Sequence, residues 1–466
     1  MTQTMHYERE ISVIDAGDVL VVGGGPGGIA AAISSARNGA RTTLVERFGY
    51  LGGNLTAGLV GPCMTSYSLD GETQLIKGVF EEMVERMEAV GGAEHPRNFP
   101  AGSPEAGFIS YGHARVTPFD PETAKFIALD MVREAGVKVR FHTFVADAIV
   151  EDGAVTGVVA ASKSGLEALK AQITVDCSAD ADVAARAGAA YDKGRDEDGL
   201  LQPMTLFFRV KNVNNKVVEE YITSHPDDFR PFESLVRQGR ESGEFPIPRK
   251  GIGMYRTGEE GVWRINTTRL HRLDGTNAED LTQGEIDGRE QVRAILKFMR
   301  NRLPGFENAE LLDTAATVGV RETRRIVGEY QLTLDDLGSA REFEDVIALC
   351  GYPVDIHSPV DDSGGTDGKL KTANIYQIPY RSLVPKEMNG LLVAGRSLSA
   401  THEAQAAVRV MPPVFAMGQA AGTAAALAIE YGVEPRAVPV PQLQEMLVRQ
   451  KAYLGEKYER QPAGAR

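Results

Sequence analysis

DVLVVGGGPGGIAAAISSARNGARTTLVERFGYLGGN, residues 18–54, is the stretch from which the fold can be read. Residues 18–22 are short, apolar and β-branched and predict a buried strand. Gly23, Gly25 and Gly28 follow as GxGxxG. Small apolar residues from 28 to 37 predict a helix lying close on a sheet, and Gly39 predicts its end. Residues 41–46 read as a second strand that finishes in an acid, Glu46. Each glycine has a physical job. Gly23 permits a tight turn, Gly25 lets the backbone approach a pyrophosphate, and Gly28 lets the helix rest on the strand. The helix N-terminus offers free N–H groups and a positive dipole end to phosphates. Glu46 stands 18 residues after the third glycine, where an acid accepts hydrogen bonds from ribose hydroxyls. The stretch therefore predicts a dinucleotide site, and an acid at this position disfavours the 2′-phosphate of NADP.

The segment ERFGYLGGN, residues 46–54, carries the chain past that acid to a Gly-Gly pair. Here it resembles FAD enzymes of the glutathione-reductase-like superfamily. The resemblance implies that Arg47, Gly52, Gly53 and Asn54 line FAD together with Pro26 and Gly27 of the turn. Without it, Gly52 and Gly53 read as a plain loop. The stretch EAGVKVRFHTFVADAIVEDGAVTGVV, residues 134–159, resembles the segment in which a strand near Val145 touches adenine. ITVDCSADAD, residues 173–182, resembles the strand that returns to the flavin. It departs from the usual version, with Cys-Ser-Ala in place of Ala-Thr-Gly. Asp180 and Asp182 read as solvated turn residues.

Between these blocks, residues 74–88 predict an amphipathic helix. Residues 91–119, rich in Gly, Pro and aromatics and including YGHAR at 111–115, predict a loop. That loop either overhangs a substrate site or connects domains. A helix is expected over 121–135, strands over 137–142 and 143–150, and a hairpin turn at Gly153 leading to 155–160. A strand over 202–210 opens a second region that holds the sole tryptophan, Trp263. RETRRIVGEY, residues 321–330, reads as a solvated charged face. Alternatively, by the family resemblance of GVRETRRI, Arg321 or Arg324 faces the active site and holds an anionic group. Residues 360–369 read as a polar loop.

The chain returns with a short buried strand over 391–394, then GRSLSATHEAQAAVRVMPPVFAMGQAAGTAAALA, residues 395–428. Proline at 412 or 413 suits the first turn of a helix, and small residues over 416–428 allow close packing. By the superfamily resemblance, the N-terminus of this helix points free N–H groups at the N1–C2=O edge of the isoalloxazine. Together with the N-terminal fingerprint and RETRRI, this block resembles the bacterial FAD-dependent oxidoreductase family, related to succinate dehydrogenase flavoproteins. The resemblance implies an α/β protein with a Rossmann-like FAD-binding domain (three layers, a parallel sheet with a β-meander) and an inserted mixed α+β substrate domain. The expected division is 15–60, 120–200 and 375–435 for the FAD domain, 61–119 and 201–374 for the substrate or cap domain, and 436–466 for a C-terminal helix and tail. FAD is expected to bind non-covalently. Gly395, Arg396, Met411 and Pro412 complete the set implied for the cofactor.

No second GxGxxG, CxxC or DG-type hydroxylase motif occurs. The reading is a dehydrogenase or oxidase that removes a hydride from a small polar substrate onto flavin N5, with oxygen, a quinone or a carrier protein as electron acceptor. A flavin monooxygenase using an external reductant, a flavin-free NAD-linked dehydrogenase and a non-catalytic FAD-fold binding protein are the alternatives. The catalytic candidates are His402, Glu403 and Arg409, then Tyr376 and Arg381. A histidine with a pKa of about 6.5 suits the role of base, and Arg409 suits a substrate carboxylate. Read blandly, His402 and Glu403 only tie down their loop, and Arg409 pairs with a carboxylate of the protein.

The composition fits this reading. The 466 residues are 42% hydrophobic with a formal net charge of −14 and no Lys/Arg block, which disfavours nucleic acid and anionic membranes as partners. Cys63, Cys177 and Cys350 are widely spaced and read as free buried thiols of a reducing cytosol. The opening MTQTMHYERE is polar and acidic, unlike a signal peptide. No apolar run reaches the ~18 residues of a membrane span. A cytoplasmic enzyme without a metal is expected, and the resemblance is compatible with a homodimer.

Overall fold

The computed structural model describes residues 4–98, 115–228, 230–361, 364–365 and 370–459. Its centre is a five-stranded, all-parallel sheet in the order Leu391–Val393, Ile173–Asp176, Val19–Val22, Thr42–Val45, Lys138–Arg140. Every residue of Val19–Val22 is buried, as an apolar strand in the middle of a sheet covered on both faces requires. The first helix, Pro26–Arg37, has proline at its first position and ends at the cap Asn38. Gly39 follows at φ +91°, the left-handed conformation that closes a helix.

The sheet has different cover on its two faces. Val19, Val21, Leu44 and Val175 pack with the helices Pro26–Arg37, Val79–Ala89, Pro121–Glu134 and Met411–Tyr431. Leu20, Val22 and Val45 pack with the strands Phe144–Glu151, Ala154–Ser162 and Gly165–Lys170 of an antiparallel meander. Ser12–Asp15 joins that meander in parallel at its edge. This is the expected three-layer arrangement: helices, parallel sheet, meander.

A second core lies apart. It centres on the antiparallel sheet Met254–Arg256, Trp263–Ile265, Phe208–Lys211, Glu310–Thr314 and on the long helix Ala278–Arg302. Its buried residues run from 204 to 318, with Leu59 added. This is narrower than the division expected from sequence. Val79, Phe80, Met83, Val84 and Met87 join the first core, as do Leu332, Leu337, Phe343 and Tyr352. The apolar stripe of Val79–Ala89 is buried against the helices of the first core. The strand expected over 202–210 forms only as Phe208–Lys211.

Met411–Tyr431 is long and apolar enough to cross a membrane by length and composition, but 89% of its most apolar stretch is buried inside the protein. It is a core helix. It crosses Pro26–Arg37 through glycines: a Cβ on Gly418 would lie 2.1 Å from the Gly27 carbonyl oxygen, and one on Gly422 would lie 2.1 Å from that of Ala31. Two backbones in direct contact leave no room for a side chain. Gly418→Leu is expected to cost on the order of 3 kcal/mol through forced separation of the helices, read as a lowered denaturation midpoint. An unchanged midpoint would contradict this packing.

Candidate functional site

The glycine turn is built as a phosphate cradle. Gly23 takes φ +96°, and a Cβ there would lie 2.4 Å from the Cys177 carbonyl oxygen. A Cβ on Gly28 would lie 1.7 Å from the Gly23 carbonyl oxygen, so strand and helix meet backbone to backbone. Gly25 differs. It has ordinary φ of −75°, and its Cβ would meet only the Gly53 Cα at 3.9 Å. Space is open beside it, and no side chain caps the helix that follows. Gly52, at φ +116°, donates its N–H to the Gly24 carbonyl at 2.7 Å, bringing the Gly-Gly pair against the turn. Glu46 is buried beside them. It accepts from the Gly24 N–H at 2.6 Å and the Phe48 N–H at 2.8 Å, and burial raises its pKa. Its carboxylate therefore braces the turn. An open cradle, uncapped helix N–H groups and an adjacent acid fit the ADP half of a dinucleotide. Arg47 is exposed and stacks over Phe48. Val145 is buried in the meander.

A cavity of about 1250 Å³, counting its open mouth, lies between the first domain and the second sheet. One wall carries Asn54, Arg396, Val410 and Met411; the other carries Thr205, Phe207, Tyr255 and Asn266. Gly395, at φ +125°, follows the strand Leu391–Val393 and turns the chain toward it. Arg396 donates to the Val320 carbonyl at 2.7 Å and pairs with Asp180. Asp180 is thus an ion-pair partner, not the solvated turn residue expected. The helix Met411–Tyr431 carries its prolines in the first turn, as expected. Its second and third residues are Pro412 and Pro413, which have no N–H. The expected array of first-turn donors reduces to the Met411 N–H.

The predicted catalytic residues separate. Arg409 lines the cavity; its Nη2 donates to the Asp355 carbonyl at 2.8 Å and lies 3.7 Å from the Asp355 carboxylate. His402, Glu403, Tyr376 and Arg381 do not line it. Residues 402–408, expected as loop, form the helix His402–Val408 capped by Thr401. This turns the His402 ring inward, where Nδ1 lies 2.8 Å from the buried Glu322, which also pairs with Arg325. Glu403 is half-buried in the first turn of the same helix. The Tyr376 hydroxyl is buried and donates to the Tyr352 carbonyl at 2.7 Å. Arg381 pairs with Asp345 at 3.0 Å, half-exposed. Of the two RETRRI candidates, Arg321 lines the cavity and Arg324 instead binds the Asp180 carbonyl and Asp182. Residues 111–114 of YGHAR and most of 360–369 lie outside the described residues.

Sequence reasoning missed Arg230, Arg249, Tyr352, Asp355 and His357, all of which line the cavity. The Asp-x-His spacing of 355–357 was the one available signal. His357 is buried; Nε2 lies 3.3 Å from Asp355 Oδ1, and Nδ1 has no partner. The Tyr352 hydroxyl donates to Asp355 at 3.2 Å. Burial, then Arg269, Arg321, Arg249 and Arg409, hold the His357 pKa well below its ordinary 6.5, so the ring is neutral at physiological pH. Burial, then Arg409, push Arg321 down to about 9. No cluster of three or more His, Cys, Asp or Glu suited to a metal ion occurs among the described residues.

The three-layer fold and the open glycine cradle define a dinucleotide-binding α/β protein with a substrate-sized cavity beside the ends of its parallel strands. The sequence profile of the FAD dependent oxidoreductase family matches residues 18–447. The chain belongs to that family, and FAD is its cofactor. No curated protein matches the sequence. Similar solved structures include a geranylgeranyl bacteriochlorophyll reductase-like protein from Thermoplasma acidophilum (14% identity, 94% of this chain and 84% of that one, TM-score 0.44). Others are L-proline dehydrogenase from P. horikoshii (13%, 94% and 99%, 0.41) and p-nitrophenol 4-monooxygenase from Pseudomonas putida (11%, 96% and 83%, 0.41). Their reactions differ from one another and are those proteins' own.

Proposed function

We propose that the chain is a dehydrogenase or oxidase that removes a hydride from a small polar substrate held in the arginine-lined cavity, with FAD bound non-covalently. The observation that carries this reading is the place of the cavity. Asn54, Arg396 and Met411, from segments that follow strands of the parallel sheet, form one wall, and the second sheet forms the other. Open α/β sheets bind their ligands beyond the carboxyl ends of the strands. Gly23, Gly25, Gly28 and Glu46 are assigned to the ADP half of FAD, and Asn54, Arg396 and Met411 to the end nearer the cavity. Bound FAD supplies the hydride acceptor.

His357 is assigned as the base in place of His402. Oxidation of an alcohol or amine needs a group to take the O–H or N–H proton as the hydride leaves carbon. His357 lines the cavity and has a buried, unpartnered Nδ1, and Asp355 beside Nε2 favours the tautomer that leaves Nδ1 as acceptor. His402 is assigned to holding the Glu322–Arg325 pair. The three buried free cysteines suit a reducing compartment and a cytoplasmic enzyme.

The test is the visible spectrum of the purified protein, followed by an anaerobic screen for compounds that bleach it. A yellow protein bleached by a small polar compound is expected. Protein that is colourless and takes up no FAD would end this reading. The pH dependence has a definite sign. A base held neutral by burial and by Arg269, Arg321, Arg249 and Arg409 loses activity only when it protonates. The acid limb of the reduction rate is therefore expected below pH 6.5. A limb above pH 6.5 would exclude His357 as the group titrating.

A further inference from the structure

The wall of the cavity is rich in arginine. Five arginines line it (Arg230, Arg249, Arg321, Arg396 and Arg409) against one carboxylate, Asp355, among the described residues. Arg396 pairs with Asp180, and Arg409 lies 3.7 Å from Asp355. Two buried guanidiniums nearby have no carboxylate within ion-pair distance among the described residues, and Asp355 acts on both from further away. Arg321, 9% exposed, spends its Nη1 on the Pro203 carbonyl at 2.5 Å and the Thr205 hydroxyl at 2.7 Å. Arg269, 4% exposed, stands behind the lining with Nε and Nη1 unbonded. Arg321 acts electrostatically on Arg269, and both act on His357. A buried cation without a counter-charge is costly. With one such cation at the wall of an open cavity and the other behind it, a bound anion would supply the missing counter-charge.

We infer that the substrate is a small dianion: a molecule with two oxyanion groups, held by Arg321 and Arg409 and by Arg249 with Arg269 behind it, and with its oxidisable carbon presented to His357. This rests on the reading of the cavity as the substrate site. Arginine suits the task because its planar fork grips carboxylate or phosphate oxygens in pairs. Two bound oxyanions would also relieve the repulsion among the arginines. Val60, Pro62, Met64 and Phe207 supply the apolar part of the wall and suit a short hydrocarbon link between the charged ends.

The experiment is a titration of the holoenzyme at constant ionic strength with succinate, 2-phosphoglycolate, acetate and the neutral diamide succinamide. It is read by the flavin absorbance difference spectrum and by thermal shift. Succinate or 2-phosphoglycolate is expected to perturb the flavin and raise the melting temperature at concentrations at least about 100-fold below those needed for acetate or succinamide. Which of the two binds tighter tells carboxylate from phosphate. Affinity should fall as salt rises. Arg321→Gln should weaken the tighter ligand at least about tenfold, and Arg321→Lys less. If the Arg321 variants fail to fold, the four-compound comparison on the unaltered protein decides alone. Succinamide or acetate binding as well as the dianions, or no dianion binding, would overturn the inference. Thermal shift reports the anion site without flavin colour, so a colourless preparation would sink the oxidoreductase reading and still leave this one decided. A yellow protein bleached by a neutral compound would do the reverse.

Discussion

Gly25→Val yields folded, colourless protein. The position separates cofactor binding from folding better than its neighbours do. Valine at Gly28 would drive its Cβ into the Gly23 carbonyl, and at Gly23 into the Cys177 carbonyl, so loss of FAD there would follow from a broken fold. At Gly25 φ is in the range any residue adopts, and a Cβ meets only the Gly53 Cα at 3.9 Å. The protein can therefore accept the side chain, whereas a pyrophosphate at the helix N-terminus cannot. The expected result is loss of at least about 100-fold in FAD affinity, some 2.7 kcal/mol, with the circular dichroism of the unaltered apoprotein. Gly25→Ala should be intermediate. A yellow, fully loaded Gly25→Val protein would refute the assignment of this turn to the pyrophosphate.

His357→Gln carries the second large effect. In single-turnover reduction with a compound that bleaches the flavin, the rate should fall by about 10²–10⁴-fold, the usual contribution of a positioned base. FAD should remain bound, because none of the hydrogen bonds that shape the glycine turn comes from His357. The acid limb of the wild-type rate below pH 6.5 should vanish with the imidazole. His402→Gln is the control. Glu322 keeps Arg325 as a partner, so this variant should lose some stability and stay within a few-fold of the wild-type rate. If His402→Gln shows the large loss and His357→Gln the small one, the roles assigned to the two histidines are reversed. Linkage gives an independent check on His357. Its folded pKa is depressed, so between pH 6.5 and that lower value the unfolded chain takes up a proton that the folded one refuses. This group removes stability as pH falls below 6.5, and His357→Gln should flatten that part of the stability profile.

Local chemistry was enough to read the turn and its flanks. Four apolar residues, three glycines at fixed spacing and an acid at the next strand end permit few backbone paths, and Val19–Val22, Pro26–Arg37 and Thr42–Val45 follow them. The glycines at 418 and 422 are likewise explained by close helix packing once Pro26–Arg37 lies beneath them. FAD as cofactor and the three-layer fold came from that stretch together with the family resemblance. The cavity was beyond such reasoning. Arg230, Arg249, Arg321, His357 and Arg409 come from segments with no shared period, and only the seating of the second sheet against the parallel one makes them neighbours. The same holds for the choice between histidines. His402 with Glu403 and His357 with Asp355 look equivalent along the chain. A capped helix turns one ring onto buried Glu322, and the fold leaves the other with an unpartnered buried nitrogen and arginines acting on the ring. Sequence decides what a residue can do; burial and the charges brought beside it by distant segments decide which of those things it does here, because both depend on three-dimensional distance.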